Sequence, residues 1–318
     1  PNPIRGVLLN RAKPAMARRL GEMLLRETGL PLLGCLPPLE GCGFESRHLG
    51  LVTAGEIADL QQKLDRLADA AEESVDLDAI LALAREAPDV KDKLKLPKAP
   101  RGKVKIAVAR DEAFCFYYES SLRILRSLGA ALVDFSPLHD KKLPKGVCGL
   151  YLGGGYPELH AEALAMNHAM RESVRAAVAA GMPTVAECGG FLYLQRTLQD
   201  QGRHPWLMAS ALDAEGFPTG QLSRFGYITL RAKTDSLLFE AGEEMPAHEF
   251  HYWDSTDPGH SFEAQKPLSQ RHWETGVATP SLYAGFPHFH FASKPQAAVR
   301  FLAAARRWRE AQKEMQQK

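Results

Sequence analysis

The strongest constraint on the fold of this chain is a short apolar run that stops abruptly at a cysteine. Residues 183–194 read PTVAECGGFLYL, so a strand-like segment is followed at once by two glycines and a helical apolar pattern. Glycines after such a turn allow the helix to pack closely on the strand. The pattern therefore predicts that Cys188 is a nucleophile at a strand-to-helix turn, facing the first N–H groups of the helix. A buried structural cysteine is the competing interpretation.

Strand-like and helical patterns alternate along most of the chain with short connections. This alternation predicts an α/β fold with a doubly wound, mostly parallel sheet, and the pattern becomes more β-like after about residue 205. The predicted strands are 4–10, 32–36, 104–109, 130–135, 149–152, 224–230, 248–252 and 281–286, and the predicted helices are 14–28, 54–73, 77–86, 117–128, 158–166, 168–180 and 295–314.

A lysine-rich segment with three prolines, residues 88–103, interrupts this alternation. Its composition is typical of a linker, and it predicts one domain over 1–87 and a second over 104–318. The chain starts at Pro1 without a methionine and enters a strand-like run within three residues. We therefore expect residues 1–87 to be the C-terminal part of a larger domain.

Composition narrows the functional classes. The net charge of +1 gives no electrostatic reason to expect nucleic acid or an acidic membrane as a partner. No apolar run approaches the ~20 residues of a membrane span, and no signal peptide is visible. The five cysteines are odd in number and have no paired spacing. They favour a reducing, cytoplasmic setting over a disulfide scaffold.

A cysteine nucleophile needs a base, and two late histidines are candidates. His288 and His290 follow a strand-like run and alternate with phenylalanines, so both can point to one face. A neighbouring histidine would favour the thiolate of Cys188 near neutral pH. A solvent-facing or hydrogen-bonded histidine pair without catalytic function is the alternative.

Three glycines, 153–155, follow another predicted strand. They suit an oxyanion hole better than a phosphate loop, because the pattern G-x-x-x-x-G-K-[ST] is absent from the chain. In a parallel sheet this loop and the cysteine turn lie at the same edge. A simple tight turn remains the alternative.

The run HEFHY at 248–252 invites a zinc interpretation together with the late histidines. Its histidines are three residues apart, whereas the zinc motif H-E-x-x-H has them four apart. A polar strand lining the cleft is therefore favoured, and no metal ligand is predicted.

Several motifs in combination resemble the cobyrinic acid a,c-diamide synthase family, which carries a class I (triad-type) glutamine amidotransferase domain. Upstream segments resemble the end of that family's ATP-binding domain, which is related to dethiobiotin synthetase, so the likeness covers nearly the whole chain. The motifs are AECGG at 186–190, GGGYPE at 153–158, HEFHY at 248–252 and HFHF at 288–291, and the upstream segments are GVLLNR at 6–11, GCLP at 34–37 and RHLGL at 47–51.

The resemblance implies a reaction. Cys188 would attack the side-chain amide of glutamine, backbone N–H groups near Gly155 and Gly189 would hold the oxyanion, and His288 would activate the thiol and protonate ammonia. The ammonia would reach a synthetase site where ATP, with Mg²⁺, has activated the a and c acetate carboxylates of a corrinoid macrocycle as acyl phosphates. His288 is preferred because it matches a Tyr-x-His-Gly pattern of cobyrate relatives.

The sequence also departs from the family. Common class I enzymes have a glutamate two residues after the histidine, where this chain has His290, so His290 is the uncertain candidate for a third triad position. The Gly-rich, lysine-containing phosphate loop and the magnesium-binding acids are missing, and Asn10 alone resembles a position near the adenine. We therefore expect that this chain by itself cannot hydrolyse ATP or amidate a corrinoid.

Other interpretations stay open at this point. Cobyric acid synthase, hydrogenobyrinic acid a,c-diamide synthase and nickel-sirohydrochlorin a,c-diamide synthase use related macrocycles, although RHLGL and HFHF favour an a,c-diamide type. A non-catalytic module that binds a partner synthetase or a macrocycle is the alternative from another class, and a homo-oligomer is compatible with every one of these interpretations.

Overall fold

The computed structural model describes residues 3–44, 46–47, 50–51, 54–89, 94–98 and 102–316. The chain divides into two compact units, Pro1–Lys93 and Leu94–Lys318. The division falls inside the segment 88–103, where proline and lysine interrupt the apolar pattern.

The first unit is a small α/β arrangement. Two short parallel strands are paired, with the intervening helix forming the crossover. Pro14 occupies the first turn of that helix, and Gly29, with φ 71°, ends it. The elements are β1 (Val7–Asn10), α1 (Pro14–Thr28), β2 (Leu32–Leu36), β3 (Ser46–Arg47), β4 (Gly50–Leu51), a 3-10 turn (Ala54–Glu56), α2 (Leu60–Ser74) and α3 (Leu77–Arg85).

The prediction that a helix begins at residue 54 was wrong. The chain makes a separate 3-10 turn first, and the long helix begins only at Leu60. Gly55 lies inside the turn, and glycine costs about 1 kcal/mol relative to alanine in a helix interior. Thr53, and His48 and Leu49 of the RHLGL motif, lie outside the described residues.

The second unit is built on a six-stranded sheet in the order β17-β18-β8-β7-β5-β6. All neighbouring pairs are parallel except β17 with β18. This confirms the predicted doubly wound, mostly parallel sheet. The strands are β5 (Val104–Ala109), β6 (Ala130–Phe135), β7 (Gly149–Leu152), β8 (Thr184–Glu187), β17 (Val277–Thr279) and β18 (Leu282–Gly285).

Helices cover both faces of this sheet, which is why its central strands are buried almost throughout. The helix predicted over 117–128 is shorter, Glu119–Ser127. The helices are α4 (Glu119–Ser127), α5 (Ala161–Met166), α6 (His168–Ala179), α7 (Gly189–Leu194) and α8 (Pro295–Gln316), with a 3-10 turn at Pro157–His160.

Two smaller sheets follow the parallel part of the chain, as the β-like pattern after residue 205 predicted. One is antiparallel with five strands in the order β16-β15-β12-β13-β19, and one has four strands in the order β10-β9-β11-β14. Their strands are β9 (Thr197–Gln199), β10 (Pro205–Leu207), β11 (Glu215–Pro218), β12 (Arg224–Ala232), β13 (Glu244–His251), β14 (Trp253–Ser255), β15 (Phe262–Gln265), β16 (His272–Thr275) and β19 (His288–Phe289).

The core of this unit has two parts, one on each face of the parallel sheet. On one face, Val185 packs with side chains of α4, α8 and the five-stranded sheet. On the other face, Ala186 and Cys188 pack with side chains of α6 and α7. The alternation of neighbouring residues across β8 therefore decides which part of the core each side chain joins.

Within the described part of the chain, no helix combines the length and the apolar character that crossing a membrane requires.

Candidate active site

Cys188 lies where β8 ends and α7 begins. Its backbone has φ 49° and ψ −103°, a combination rarely adopted by residues other than glycine. Its N–H donates to the carbonyl oxygen of Gly285 on the neighbouring strand β18 at 2.8 Å. Strained backbone of this kind clusters at functional sites, where the surrounding structure holds it in place. The predicted strand-to-helix turn at Cys188 is confirmed in its backbone.

The glycines that follow Cys188 are required by close contacts. A Cβ atom on Gly190 would lie 2.2 Å from the carbonyl oxygen of Leu152, and one on Gly189 would lie 2.9 Å from Cδ of Pro157. The same hypothetical atom on Gly189 would lie 3.1 Å from the backbone nitrogen of Gly155. The backbones of the two predicted oxyanion residues, Gly155 and Gly189, are therefore neighbours at the sheet edge.

The glycine loop 153–155 is fixed by hydrogen bonds on both sides. The carbonyl oxygen of Gly153 accepts from the N–H of Gly190 at 2.9 Å, and that of Gly154 accepts from the N–H groups of Cys115 and Phe116 at 3.0 Å. The N–H of Gly153 donates to the hydroxyl of Tyr117 at 2.9 Å. A loop held this firmly keeps its remaining N–H groups at set positions, as an oxyanion hole requires.

His288 is brought to Cys188 by the short strand β19. This strand pairs with β13, which places His288 opposite His248. The His288 side chain is 14% exposed, and Cys188 is the side chain that acts most strongly on the charge of its imidazole. A Cβ atom on Gly154 would lie only 2.5 Å from Cε1 of the imidazole, so the glycine loop also makes room for the base.

The electrostatics of His288 favour its charged form. Burial disfavours the imidazolium, but the hydrogen bond and charge of Cys188, followed by those of Glu187, outweigh it and raise the pKa of His288 to about 10. For the neighbouring His248, burial and then the charge of His288 lower the pKa from its usual value. The site thus holds one charged and one neutral imidazole at neutral pH.

Glu187 is a site residue for which the sequence analysis proposed no function. Its Oε2 atom lies 3.5 Å from Nδ1 of His288, and its Oε1 accepts a hydrogen bond from the hydroxyl of Tyr151 at 3.4 Å. The residue is 1% exposed. The available signal was a single acidic residue ending a buried strand directly before the nucleophile.

The structure places His290, the uncertain candidate for a third triad position, in another environment. Its Nε2 lies 2.5 Å from the hydroxyl of Ser120 on α4, and its Nδ1 accepts from the N–H of Ala292 at 3.1 Å. Its ring packs edge-on against Tyr118. The side chain that contacts Nδ1 of His288 is therefore Glu187, and His290 is not assigned to the triad.

The two histidines of HEFHY lie on opposite faces of β13, because residues three apart in a strand alternate in direction. His248 lines the cavity beside His288, whereas His251 is buried and its ring stacks on Phe286 with centroids 4.0 Å apart. They do not converge on one metal ion. Among the described residues, no group of three or more His, Cys, Asp and Glu side chains is placed to hold a metal.

A cavity of about 320 Å³ opens beside His288 and Glu187, and aromatic side chains form much of its wall. Its volume lies at the lower end of the roughly 300–1,000 Å³ of small-molecule pockets. The lining residues are Cys115, Phe116, Tyr117, Tyr118, Glu187, His248, Phe250 and His288.

A second cavity, of about 340 Å³, belongs to the first unit. Asn10 at the end of β1 and Leu36 at the end of β2 both line it, so it lies at the carboxyl edge of two parallel strands. Ligands of open α/β sheets bind at this edge. Asn10, the residue compared above with an adenine-contacting position, thus borders a cavity in the described structure.

Comparison with known proteins assigns the family. The profile of the CobB/CobQ-like glutamine amidotransferase domain matches residues 105–296, more than half of the chain. Cobyrinate a,c-diamide synthase of Caldanaerobacter subterraneus is 36% identical over 302 residues, covering 94% of this chain and 67% of that protein. The chain belongs to the cobyrinate a,c-diamide synthase family. The glutamine amidotransferase domain predicted from the motifs is thereby confirmed.

Two further relatives are covered by this chain to a similar share of their length. Cobyrinate a,c-diamide synthase of Salmonella typhimurium is 37% identical and is covered to 68% of its length, with 96% of this chain aligned. Hydrogenobyrinate a,c-diamide synthase of Thermobifida fusca is 36% identical and is covered to 66%, with 95% of this chain aligned. The chain thus spans about two thirds of the length of these family members.

Among solved structures, a glutamine amidotransferase of Thermotoga maritima aligns with 67% of this chain and 86% of its own, at 13% identity and a TM-score of 0.41. This likeness adds nothing to the family assignment.

The close approach at Gly190 leads to a first prediction. Gly190→Ala forces a side-chain atom onto the backbone of Leu152, and overpacking of this kind costs about 1–3 kcal/mol of unfolding free energy. Urea denaturation should show a lower free energy of unfolding. Glutamine hydrolysis should also fall, because the strand-to-helix turn at Cys188 is displaced. Gly202→Ala is the matched control, since its nearest atom is Oδ1 of Asp200 at 3.3 Å. Equal stability of the two variants would contradict the steric argument.

The raised pKa of His288 leads to a second prediction. Its charged form is favoured by folding, so this stabilisation is fully present below pH 6.5 and is lost as the pH rises through about 10. NMR titration of the imidazole, assigned with His288→Gln, should show His288 still charged at pH 8. His248 provides the internal comparison, because it should titrate below 6.5. A pKa of His288 near 6.5 would contradict the stabilisation of its imidazolium by Cys188 and Glu187.

Proposed function

We propose that this chain supplies ammonia by hydrolysing glutamine, for the ATP- and glutamine-dependent amidation of the a and c acetate carboxylates of cobyrinic acid in cobalamin biosynthesis. The observation that carries the proposal is the pairing of Cys188 with His288 at a strained strand-to-helix turn, beside the adjacent backbones of Gly155 and Gly189. The names of the family relatives support the choice of acceptor.

The first half of the reaction forms a thioester. The sulfur of Cys188, paired with the imidazolium of His288, attacks the side-chain carbonyl carbon of glutamine. Negative charge develops on the carbonyl oxygen, and the N–H groups of Gly155 and Gly189 stabilise it. His288 then gives its proton to the amide nitrogen, the C–N bond breaks, and ammonia leaves.

The second half regenerates the pair. After losing its proton, the neutral His288 accepts one from a water molecule that attacks the thioester carbon. The C–S bond breaks, glutamate is released, and the thiolate and imidazolium are restored. Glutamine and water are thus converted to glutamate and ammonia, with Cys188 and His288 unchanged at the end.

The first unit is proposed to be the C-terminal part of the ATP-binding synthetase domain. Its cavity at the carboxyl ends of β1 and β2 supports this interpretation, and Asn10, which lines the cavity, would contact the base of a nucleotide. ATP with Mg²⁺ would supply the activation of the acceptor carboxylate. No ligand of Mg²⁺ is assigned, because the residues described here include no suitable cluster.

Two corrinoid macrocycles are candidate acceptors within the family. The cobyrinate enzyme of Caldanaerobacter subterraneus and the hydrogenobyrinate enzyme of Thermobifida fusca are both 36% identical to this chain. Hydrogenobyrinic acid therefore stands as the second candidate acceptor. Assays with each macrocycle, in the presence of glutamine and ATP and any further synthetase part, would distinguish them.

Removal of the nucleophile gives a third prediction. Cys188→Ala should reduce the release of glutamate from glutamine to background, because the thioester cannot form. Cys148→Ala is the matched control, since Cys148 is also a buried free cysteine but lies in the other part of the core. Equal glutamate release by wild type and Cys188→Ala would contradict the proposal and favour a non-catalytic binding module.

The cavity of the first unit gives a fourth prediction. Asn10→Ala should weaken binding of a fluorescent ATP analogue about tenfold, the effect of losing one well-placed hydrogen-bonding group. Gln62→Ala on α2 is the control, because it removes an exposed amide that does not line the cavity. Identical affinities of Asn10→Ala and wild type, measured by fluorescence titration, would remove Asn10 from the nucleotide site.

A further inference from the structure

Glu187 lies between two partners and is shielded from solvent. Its side chain is 2% exposed, one carboxylate oxygen faces Nδ1 of His288, and the other accepts from the hydroxyl of Tyr151. Glu187 is also joined to Cys188 by a peptide bond. A single strand end therefore carries both the nucleophile and the acid that contacts its base.

We propose that Glu187 is the positioning residue of this site, holding His288 so that its other ring nitrogen faces the sulfur of Cys188. The inference rests on the proposed glutamine hydrolysis. It gives the function of a third triad member to the residue that directly precedes the nucleophile.

The backbone explains how two consecutive residues serve one histidine. Along β8 the side chains of Val185 and Glu187 point to one face of the sheet, and that of Ala186 points to the other. Cys188 packs with Ala186 in the other part of the core, and its positive φ turns the chain into α7 directly after Glu187. The sulfur and the carboxylate can then approach His288 from different sides of the strand end.

The ring nitrogens of His288 are distinguished by these contacts. Nδ1 faces Glu187, so a proton on Nδ1 is held by the carboxylate, and Nε2 is left for the thiol. A carboxylate that fixes the tautomer and orientation of a histidine is a general device of catalytic and metal-binding histidines. His290 offers no such contact, because its own nitrogens are engaged with Ser120 and Ala292.

Charge gives an independent reason for the pairing. A buried carboxylate is costly unless a cation faces it, and His288 is the ion-pair partner of Glu187 among the described residues. The charge of Glu187 also reaches four surrounding phenols: burial raises the pKa of each phenol, and the Glu187 charge raises it further. These are Tyr117, Tyr118, Tyr151 and Tyr283.

Glu187→Gln tests the proposal in the full 318-residue chain. The variant keeps the size and removes the charge, and its amide can stabilise the wrong tautomer of His288. We expect kcat for glutamine hydrolysis to fall by about 100-fold or more, with KM nearly unchanged. The NMR pKa of His288 should fall from about 10 towards its ordinary value. Glu187→Asp, which restores the charge at a shorter reach, should recover part of kcat.

Glu249→Gln is the matched control. Glu249 is also a glutamate at 1% exposure, on the core-facing side of β13. Burial, partly opposed by the charge of Arg224, raises its pKa to about 7, so glutamine imitates its protonated form. We expect kcat and the titration of His288 to be nearly unchanged in this variant. A similar loss of kcat in both variants, without a shift in the His288 titration, would reduce Glu187 to a structural residue.

The outcomes separate this proposal from the proposed function. If glutamine hydrolysis needs Cys188 but is unchanged in Glu187→Gln, the positioning proposal fails and the glutaminase stands. If hydrolysis does not depend on Cys188, the proposed function fails first. If Glu187→Gln does not fold, the pKa of His288 is measured in Cys188→Ala, where the sulfur is absent. A pKa that stays above 6.5 supports the contact of Glu187 with His288, and a pKa at or below 6.5 overturns the proposal.

Discussion

The close contact between the backbones of Gly190 and Leu152 is the constraint on which the candidate active site depends. α7 comes so close to β7 that any side chain at Gly190 would overlap the carbonyl oxygen of Leu152. The helix begins directly at the strand end, and Cys188 between them has a positive φ. The backbones of Gly155 and Gly189 also lie close together there. Packing between a helix and a strand thus contributes to the position of the Cys188 sulfur.

Much of this arrangement could be predicted from the sequence, because local patterns encode it. Apolar runs that end at glycines indicated the parallel strands, and the glycines after Cys188 indicated the tight turn. The partner of His288 could not be predicted in the same way. It depends on the side from which Glu187 approaches, which follows from the unusual backbone of Cys188 and from the pairing of β19 with β13. The resemblance to class I enzymes offered only His290 as an uncertain candidate.

The HEFHY segment shows why strand periodicity matters for such predictions. Its two histidines look like a pair in the sequence, yet β13 directs His248 to the cavity and His251 into the core. His251 and Glu249 share the core-facing side, where burial lowers the pKa of the histidine to about 4 and raises that of the glutamate to about 7. Burial thus favours the uncharged form of both side chains.

The hydrogen bond from Cys188 to Gly285 has a wider consequence. β8 and β18 are adjacent parallel strands, and His288 follows Gly285 by only three residues. Glu187 and Cys188 therefore lie at and directly after the end of β8, and His288 lies just beyond the end of β18, where β19 begins. The five-stranded sheet also takes part, because β19 pairs with β13 and so holds His288 at this edge of the parallel sheet. The hydrogen bond between the ends of β8 and β18 thus limits how far the segment that leads to His288 can move away from Cys188.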